Sequence, residues 1–247
     1  MNPTSSEHTD SGPSLYRAGG IAALIAALMY VVALGIYAPA YGAGPPPNTT
    51  LEWFTLLQHS PLTGLFFLGL ADIIIVILWG PMSLSLYFAL RPTNRALLMN
   101  ATTFVFVGMA VYLATNTAFS MLSLSNQYAV AATDAERSTV LAAGQAILAV
   151  SQGTGGQYVG MPLVWLAGVI ISAVMLRSGI FHKATAWTGI FGLCLLLASV
   201  PFSGYTFGPT TGAMVTVAVG TDIGGGLLSF AWYILIGLRL LKLSSSR

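Results

Sequence analysis

Charge is what this chain has least of. Only 6% of its 247 residues are Asp, Glu, Lys or Arg, while 55% are hydrophobic. With a mean hydropathy of +0.80 it is too apolar for an ordinary soluble domain and long enough for six spans of about 20 residues. Cysteine is almost absent as well. Cys194 stands alone in an apolar segment, which excludes an intrachain disulfide and a dithiol redox pair. The three histidines, His8, His59 and His182, all fall outside the apolar segments. A haem held by two histidines, or a zinc hydrolase site inside a bilayer, therefore lacks its ligands. No lysine lies mid-segment, which removes a retinal Schiff base. No cofactor and no metal are expected.

The few basic residues are unevenly placed. Arg17 precedes the first apolar segment, Arg91 and Arg95 follow the second, and Arg177 and Lys183 flank the join between the fourth and fifth. Arg239, Lys242 and Arg247 close the chain, and Arg137 alone falls in the alternate loops. Short loops rich in Lys and Arg stay cytoplasmic, so both termini are expected inside the cell membrane. The net charge of +2 then reflects topology and not a nucleic-acid partner. The partner it implies is the lipid bilayer, whose anionic inner leaflet attracts such edges at roughly 1 kcal/mol per basic residue.

The expected fold class is all-α: a polytopic membrane protein of six transmembrane helices with short interfacial helices in its outer loops. Residues 1–16 read as a disordered tail, 17–243 as one bundle and 244–247 as a second tail. Glu7 and Asp10 weaken a basic signal region, and Gly19–Tyr37 is long for a signal core, so the first span is expected to stay uncleaved. The spans are placed at Ala18–Ala38, Pro61–Leu90 with a kink at Pro81, Ala96–Leu122, Gln157–Leu176, Ala184–Pro201 and Gly224–Leu241. Arg91-Pro92-Thr93-Asn94-Arg95 reads as a tight turn. Thr49 and Glu52 have capping-box spacing ahead of a short helix, and Thr133 and Glu136 have it ahead of one that Gly153 should end.

Three stretches carry a resemblance. Tyr16-Arg17-Ala18-Gly19-Gly20 opens the first span, Ala132-Thr133-Asp134-Ala135-Glu136-Arg137-Ser138 begins the long outer helix, and Val174-Met175-Leu176-Arg177-Ser178-Gly179-Ile180-Phe181 ends the fourth span. Together they resemble a bacterial family of uncharacterised six-helix membrane proteins, a domain of unknown function. The resemblance implies a six-span fold and brings no activity, substrate or catalytic residue.

Polar residues inside the apolar segments are the candidate site. Asp72 lies in Leu68-Gly69-Leu70-Ala71-Asp72-Ile73-Ile74-Ile75, and a mid-span aspartate costs roughly 2.5–3.5 kcal/mol. It is 19 residues from Arg91, about 28 Å at a helical rise of ~1.5 Å. Asn116 is 21 residues from Arg95, Gln157 is 20 from Arg177, Tyr37 is 20 from Arg17 and Asp222 is 17 from Arg239. Five polar groups from different segments are thus expected at one depth, in the outer half of the bundle. Such a layer suits a small polar solute, a cation or a proton. The plainer alternative is that Asp72 hydrogen-bonds Asn116 and ties two helices.

Other motifs carry less. Thr216-Val217-Ala218-Val219-Gly220-Thr221-Asp222 faintly echoes a potassium-channel filter but has Ala and Val where the filter has Gly and Tyr, and reads as an ordered outer loop. Gly153-Thr154-Gly155-Gly156 and Gly224-Gly225-Gly226 lack the context and lysine of a phosphate loop and suit close helix packing. A carboxylate acting with Asn116 or Tyr112 as a general acid has no reaction attached to it, so no catalytic residue is assigned. Two functions remain: binding or passage of a small polar solute or cation at Asp72, and a non-catalytic partner or sensor whose protein-binding surface is the outer segment 123–156.

Overall fold

The computed structural model describes residues 11–43, 47–153, 156–201 and 213–245, and within them every regular element is helical. Helix α1 runs Ser11–Ala43, α2 Thr50–His59, α3 Pro61–Phe67, α4 Leu70–Thr115, α5 Ala118–Val130 and α6 Asp134–Gly153. A π-helical turn, Gly156–Gly160, leads into α7 at Met161–Ser178, followed by α8 at Lys183–Ser199 and α9 at Ala213–Ser245. Four helices are long and apolar enough to cross a membrane: Pro13–Tyr37, Leu70–Val130, Tyr158–Ser178 and Gly220–Ser245. Helix α8 is apolar but has only 17 residues.

The 46 residues of α4 are folded back on themselves. A straight helix would separate Asp72 from Tyr112 by about 60 Å at ~1.5 Å per residue, yet their side chains lie 3.4 Å apart. The fold falls at Asn94, whose φ of −160° and ψ of 90° leave the helix. Asn94 Oδ1 then accepts the Leu97 N–H at 3.1 Å and restarts it. The expected turn at 91–95 is therefore present. Pro81 sits inside the first half of the helix, its carbonyl accepting the Ser85 hydroxyl at 2.7 Å.

Helices α1, the first half of α4, α7, α8 and α9 form a closed ring, each touching the next, and α9 returns to α1. The second half of α4 lies outside the ring against the first half and α7. Trp79, Met82, Leu86, Ile171, Met175, Trp232 and Tyr233 fill the centre. Bare backbones set the crossings. A Cβ on Gly108 of α4 would come within 2.6 Å of the Gly160 carbonyl, and one on Gly20 of α1 within 3.0 Å of the Gly237 carbonyl of α9. Gly225 stands likewise 2.9 Å from the Gly192 carbonyl, so the Gly224–Gly226 cluster does serve α8–α9 packing.

Helices α2, α3, α5 and α6 form a cap over one end of the ring. Trp53, Phe54, Leu57, Met121 and Leu148 give it a separate core. Both capping boxes are made. Thr49 Oγ1 accepts the Glu52 N–H and Thr133 Oγ1 the Glu136 N–H, each at 3.2 Å. Helix α6 is described as far as Gly153, and residues 154–155, where the expected stop would show, lie outside the described residues.

Several boundaries differ from expectation. Residues 11–16 are the first turns of α1, and not part of a disordered tail; residues 1–10 lie outside the described residues. The second expected span breaks at Leu68-Gly69 and the third at Asn116-Thr117, leaving α3 and α5 as separate cap helices. The last helix starts at Ala213, so Thr216–Asp222 is helical and not a loop; 202–212 lie outside the described residues.

Candidate functional site

Asp72 is not mid-helix. Gly69 has a φ of +94°, a left-handed conformation that ends α3 and suits a residue without Cβ. That break puts Asp72 in the first turn of α4, where the helix dipole favours a negative side chain. The run of apolar neighbours had concealed the break, because Leu68 and Leu70 continue the pattern across Gly69.

The Tyr112 hydroxyl donates to Asp72 Oδ2 at 3.4 Å, and Asn116 Nδ2 donates to the Tyr112 hydroxyl at 3.5 Å. Asn116 also joins the two helix breaks. Its Nδ2 donates to the Leu68 carbonyl at 3.3 Å, and its Oδ1 accepts the Ala118 N–H at 3.0 Å, starting α5. A side chain on Gly69 would meet Tyr112 Oη at 2.7 Å and Asn116 Nδ2 at 3.1 Å. Asp72, Tyr112 and Asn116 therefore close around a bare stretch of backbone at one level.

The other expected members are placed differently. The Tyr37 hydroxyl donates to the Phe66 carbonyl at 2.8 Å, fastening α1 to α3, and lies within electrostatic reach of Tyr112. The Gln157 side chain lies outside the described residues, but its neighbour Gly156 packs against Thr115 and Tyr112. Asp222 stands apart: its carboxylate is within hydrogen-bonding reach of Ser199 at the end of α8, and no contact among the described residues joins it to Asp72. The shared-depth count thus brings Asp72 and Asn116 together, adds Tyr37 at the edge, and does not bring in Asp222. Among the described residues no three His, Cys, Asp or Glu side chains gather as a metal site.

Beneath the carboxylate lies an aromatic floor that sequence reasoning missed. Trp79 Nε1 donates to the Tyr233 hydroxyl at 2.8 Å, and Tyr30 lies against Tyr233 with ring centroids 5.8 Å apart. The hydroxyls of Tyr30 and Tyr233 lie within hydrogen-bonding reach of each other. Trp79 and Trp232 pack at 5.6 Å. The signal was spacing: Trp79 is seven residues after Asp72 and Tyr30 seven before Tyr37, two helical turns along the same faces. Deeper still, Trp232 Nε1 and Ser172 Oγ both face Gly189, and neither has a hydrogen-bond partner among the described residues.

The site therefore offers one carboxylate, a phenol and an amide, with a rigid aromatic base and no neighbouring cation among the described residues. That donor set can take up a cation or hydrogen-bond a small polar molecule. Residues 18–241 match the family described as Domain of unknown function (DUF4386). The chain belongs to this family. Its description carries no activity, and no curated protein and no solved structure matches the chain.

Proposed function

We propose that this member of DUF4386 crosses the cell membrane six times, with both termini cytoplasmic, and binds a monovalent cation or small polar solute at Asp72 on its outer side. The folded α4 supplies two crossings of about 24 and 21 residues, and α1, α7, α8 and α9 one each. At ~1.5 Å per residue the 17 residues of α8 reach about 26 Å, near a hydrocarbon thickness of ~30 Å. On this topology Asp72 lies at the outer edge of the hydrocarbon layer, roofed by the cap.

The observation that carries the reading is the convergence of two helix breaks around an uncompensated carboxylate. Non-helical backbone at membrane depth is tolerated where protein buries it or where it lines a water-filled cavity, and membrane transporters place substrates and coupling ions at such breaks. A structural tie alone is a weak explanation. Interhelical polar contacts in membranes average about 0.6 kcal/mol, against roughly 2.5–3.5 kcal/mol for an aspartate at full depth, less near the edge. The test is uptake by the protein reconstituted in liposomes. Wild type should carry a cation or solute flux that Asp72→Asn abolishes while the variant still elutes as folded protein; equal fluxes would end the proposal.

One observation favours a second role, that of a partner-binding protein. The cap exposes Phe119 at 59% and Val130 at 81%, and Phe119, Leu124 and Ile147 line a shallow cavity of about 430 Å³ between α5 and α6. A partner that co-purifies with wild type and is lost on Phe119→Ser, but kept on Asp72→Asn, would favour that role.

A further inference from the structure

The basic end of the ring holds a cleft of about 430 Å³, lined by Tyr16, Ser178, Gly179, Ile180, Arg239 and Leu243. It lies where α1 begins, α7 gives way to α8, and α9 ends. Arg239 is half-buried there, and its Nε donates to the Ile180 carbonyl at 2.7 Å. A guanidinium has five N–H donors in one plane, so this bond fixes the plane and leaves the paired Nη edge for a ligand. The opposite wall is Gly179, whose φ of +64° turns the chain and beside which a Cβ would meet nothing within 4 Å. Ser178 keeps this turn in shape, donating to the Met175 carbonyl at 3.0 Å and accepting the Ile180 N–H at 3.3 Å.

Among the described residues the charge around the cleft has one sign. Arg177 and Lys183 flank the 178–182 loop, and Arg17 and Lys242 adjoin Tyr16 and Leu243 in sequence. The described carboxylates, Glu52, Asp72, Asp134, Glu136 and Asp222, all belong to the cap or to the other end of the ring. A half-buried arginine without a carboxylate partner among the described residues, in a concave site between helices, matches the needs of a phosphate. Arg binds phosphate through paired N–H donors, and basic pockets between membrane helices on the cytoplasmic side hold lipid headgroups. Beside the cleft, Leu238 is 56% exposed on α9, an apolar flank along which an acyl chain can lie.

We propose that this cleft binds a phosphate group, carried by an anionic phospholipid of the inner leaflet, with Arg239 as its principal ligand. The site is independent of Asp72 and rests on the proposed topology, which puts this end of the ring at the inner leaflet. The test is thermal unfolding of the full chain in neutral detergent, titrated with phosphatidylglycerol, phosphatidylcholine or inorganic phosphate. Phosphatidylglycerol should raise Tm in proportion to the logarithm of its concentration, as expected for a ligand of the folded state, and phosphatidylcholine should not. Arg239→Gln should weaken that response at least tenfold, since hydrogen bonds to charged groups contribute about 1.5–3 kcal/mol. Arg239→Lys keeps the charge and loses the planar pair, so it should fold and respond between the two. Arg137→Gln, on α6 in the cap at the other end of the molecule, should respond like wild type. Inorganic phosphate matching the lipid would uphold the phosphate site and assign it to a free phosphate compound. An undiminished response in both Arg239 variants, or an equal shift with phosphatidylcholine, would overturn the proposal.

Discussion

The ring and its cap are built by different rules. Two cap helices start with polar side chains that cap them, Thr49 with Glu52 before α2 and Thr133 with Glu136 before α6, while α3 has no side-chain cap. Ring helices α4 and α7 begin at Gly69 and Gly160 without any side-chain cap. Only α8, which starts at the exposed His182, has one among the ring helices with a described start, His182 Nδ1 accepting the Ala184 N–H at 3.2 Å. Where water reaches a helix end, local hydrogen bonds decide where it begins. Where apolar surroundings remove that competition, backbone contacts between helices decide instead, and the residues that matter are those with no side chain.

The largest separation between the two regions should come from inserting the same bulk in each. Gly108→Leu drives a side chain against the Gly160 backbone, which cannot step aside, and should cost at least the roughly 1–3 kcal/mol typical of overpacking. Gly144→Leu in α6 meets Thr50 Cγ2 at 2.5 Å and the buried ring of Phe54 at 2.7 Å, side chains and not backbone. Thermal unfolding should show a large loss of Tm for the first and a small one for the second. Equal losses would mean that the cap is packed as tightly as the ring.

Next in size is Ser125→Ala. The buried Ser125 hydroxyl donates to the Phe54 carbonyl at 3.0 Å, and the Gln58 side chain donates to the Ser125 carbonyl at 3.1 Å. Losing the hydroxyl should cost about 1 kcal/mol, seen as faster hydrogen exchange in α2 and α5 but not in α7 or α9. Thr49→Ala and Thr133→Ala remove caps of similar worth, about 1 kcal/mol each, and should fray the first turns of α2 and α6 only.

The smallest effect is one of pH. Backbone N–H groups of Asn48 and Thr49 hold the Glu52 carboxyl below the usual range, and those of Thr133 and Ala132 do the same for Glu136. A carboxyl whose folded-state pKa is lowered contributes stability above its unfolded value and loses it as pH falls through the folded one. Mild acid should therefore loosen the starts of α2 and α6, while Glu52→Gln and Glu136→Gln make those starts insensitive to pH. Hydrogen exchange at residues 50–54 and 134–138 reads this directly.

The cap's rules are the ones a sequence displays. Both capping boxes were legible because they are local patterns of residue type. The turn at 91–95 was legible from Pro92, Asn94 and two arginines. The breaks at Gly69 and Asn116 were not, since apolar residues continue on either side and only the tertiary contact between Asn116 and Leu68 fixes them. Of the site, Asp72 and Asn116 were found by counting residues from the basic turns. Counting depth does not say which neighbour a side chain meets, and Asp222 meets Ser199 at the end of α8 and not Asp72. Tyr30, Tyr233 and Trp79 were missed because an aromatic residue in an apolar run reads as core until its hydroxyl or indole nitrogen is seen to face a partner.

The central claim is that Asp72 is a binding charge under the cap and not a tie between helices. The measurement is the unfolding temperature of purified wild type and Asp72→Asn in detergent, with monovalent and divalent cations added in turn. The account predicts that at least one cation raises Tm for wild type and leaves Asp72→Asn unmoved. Two proteins that unfold alike under every cation would contradict it, leaving Asp72 as the first-turn residue of α4 and turning the search to partners of the cap.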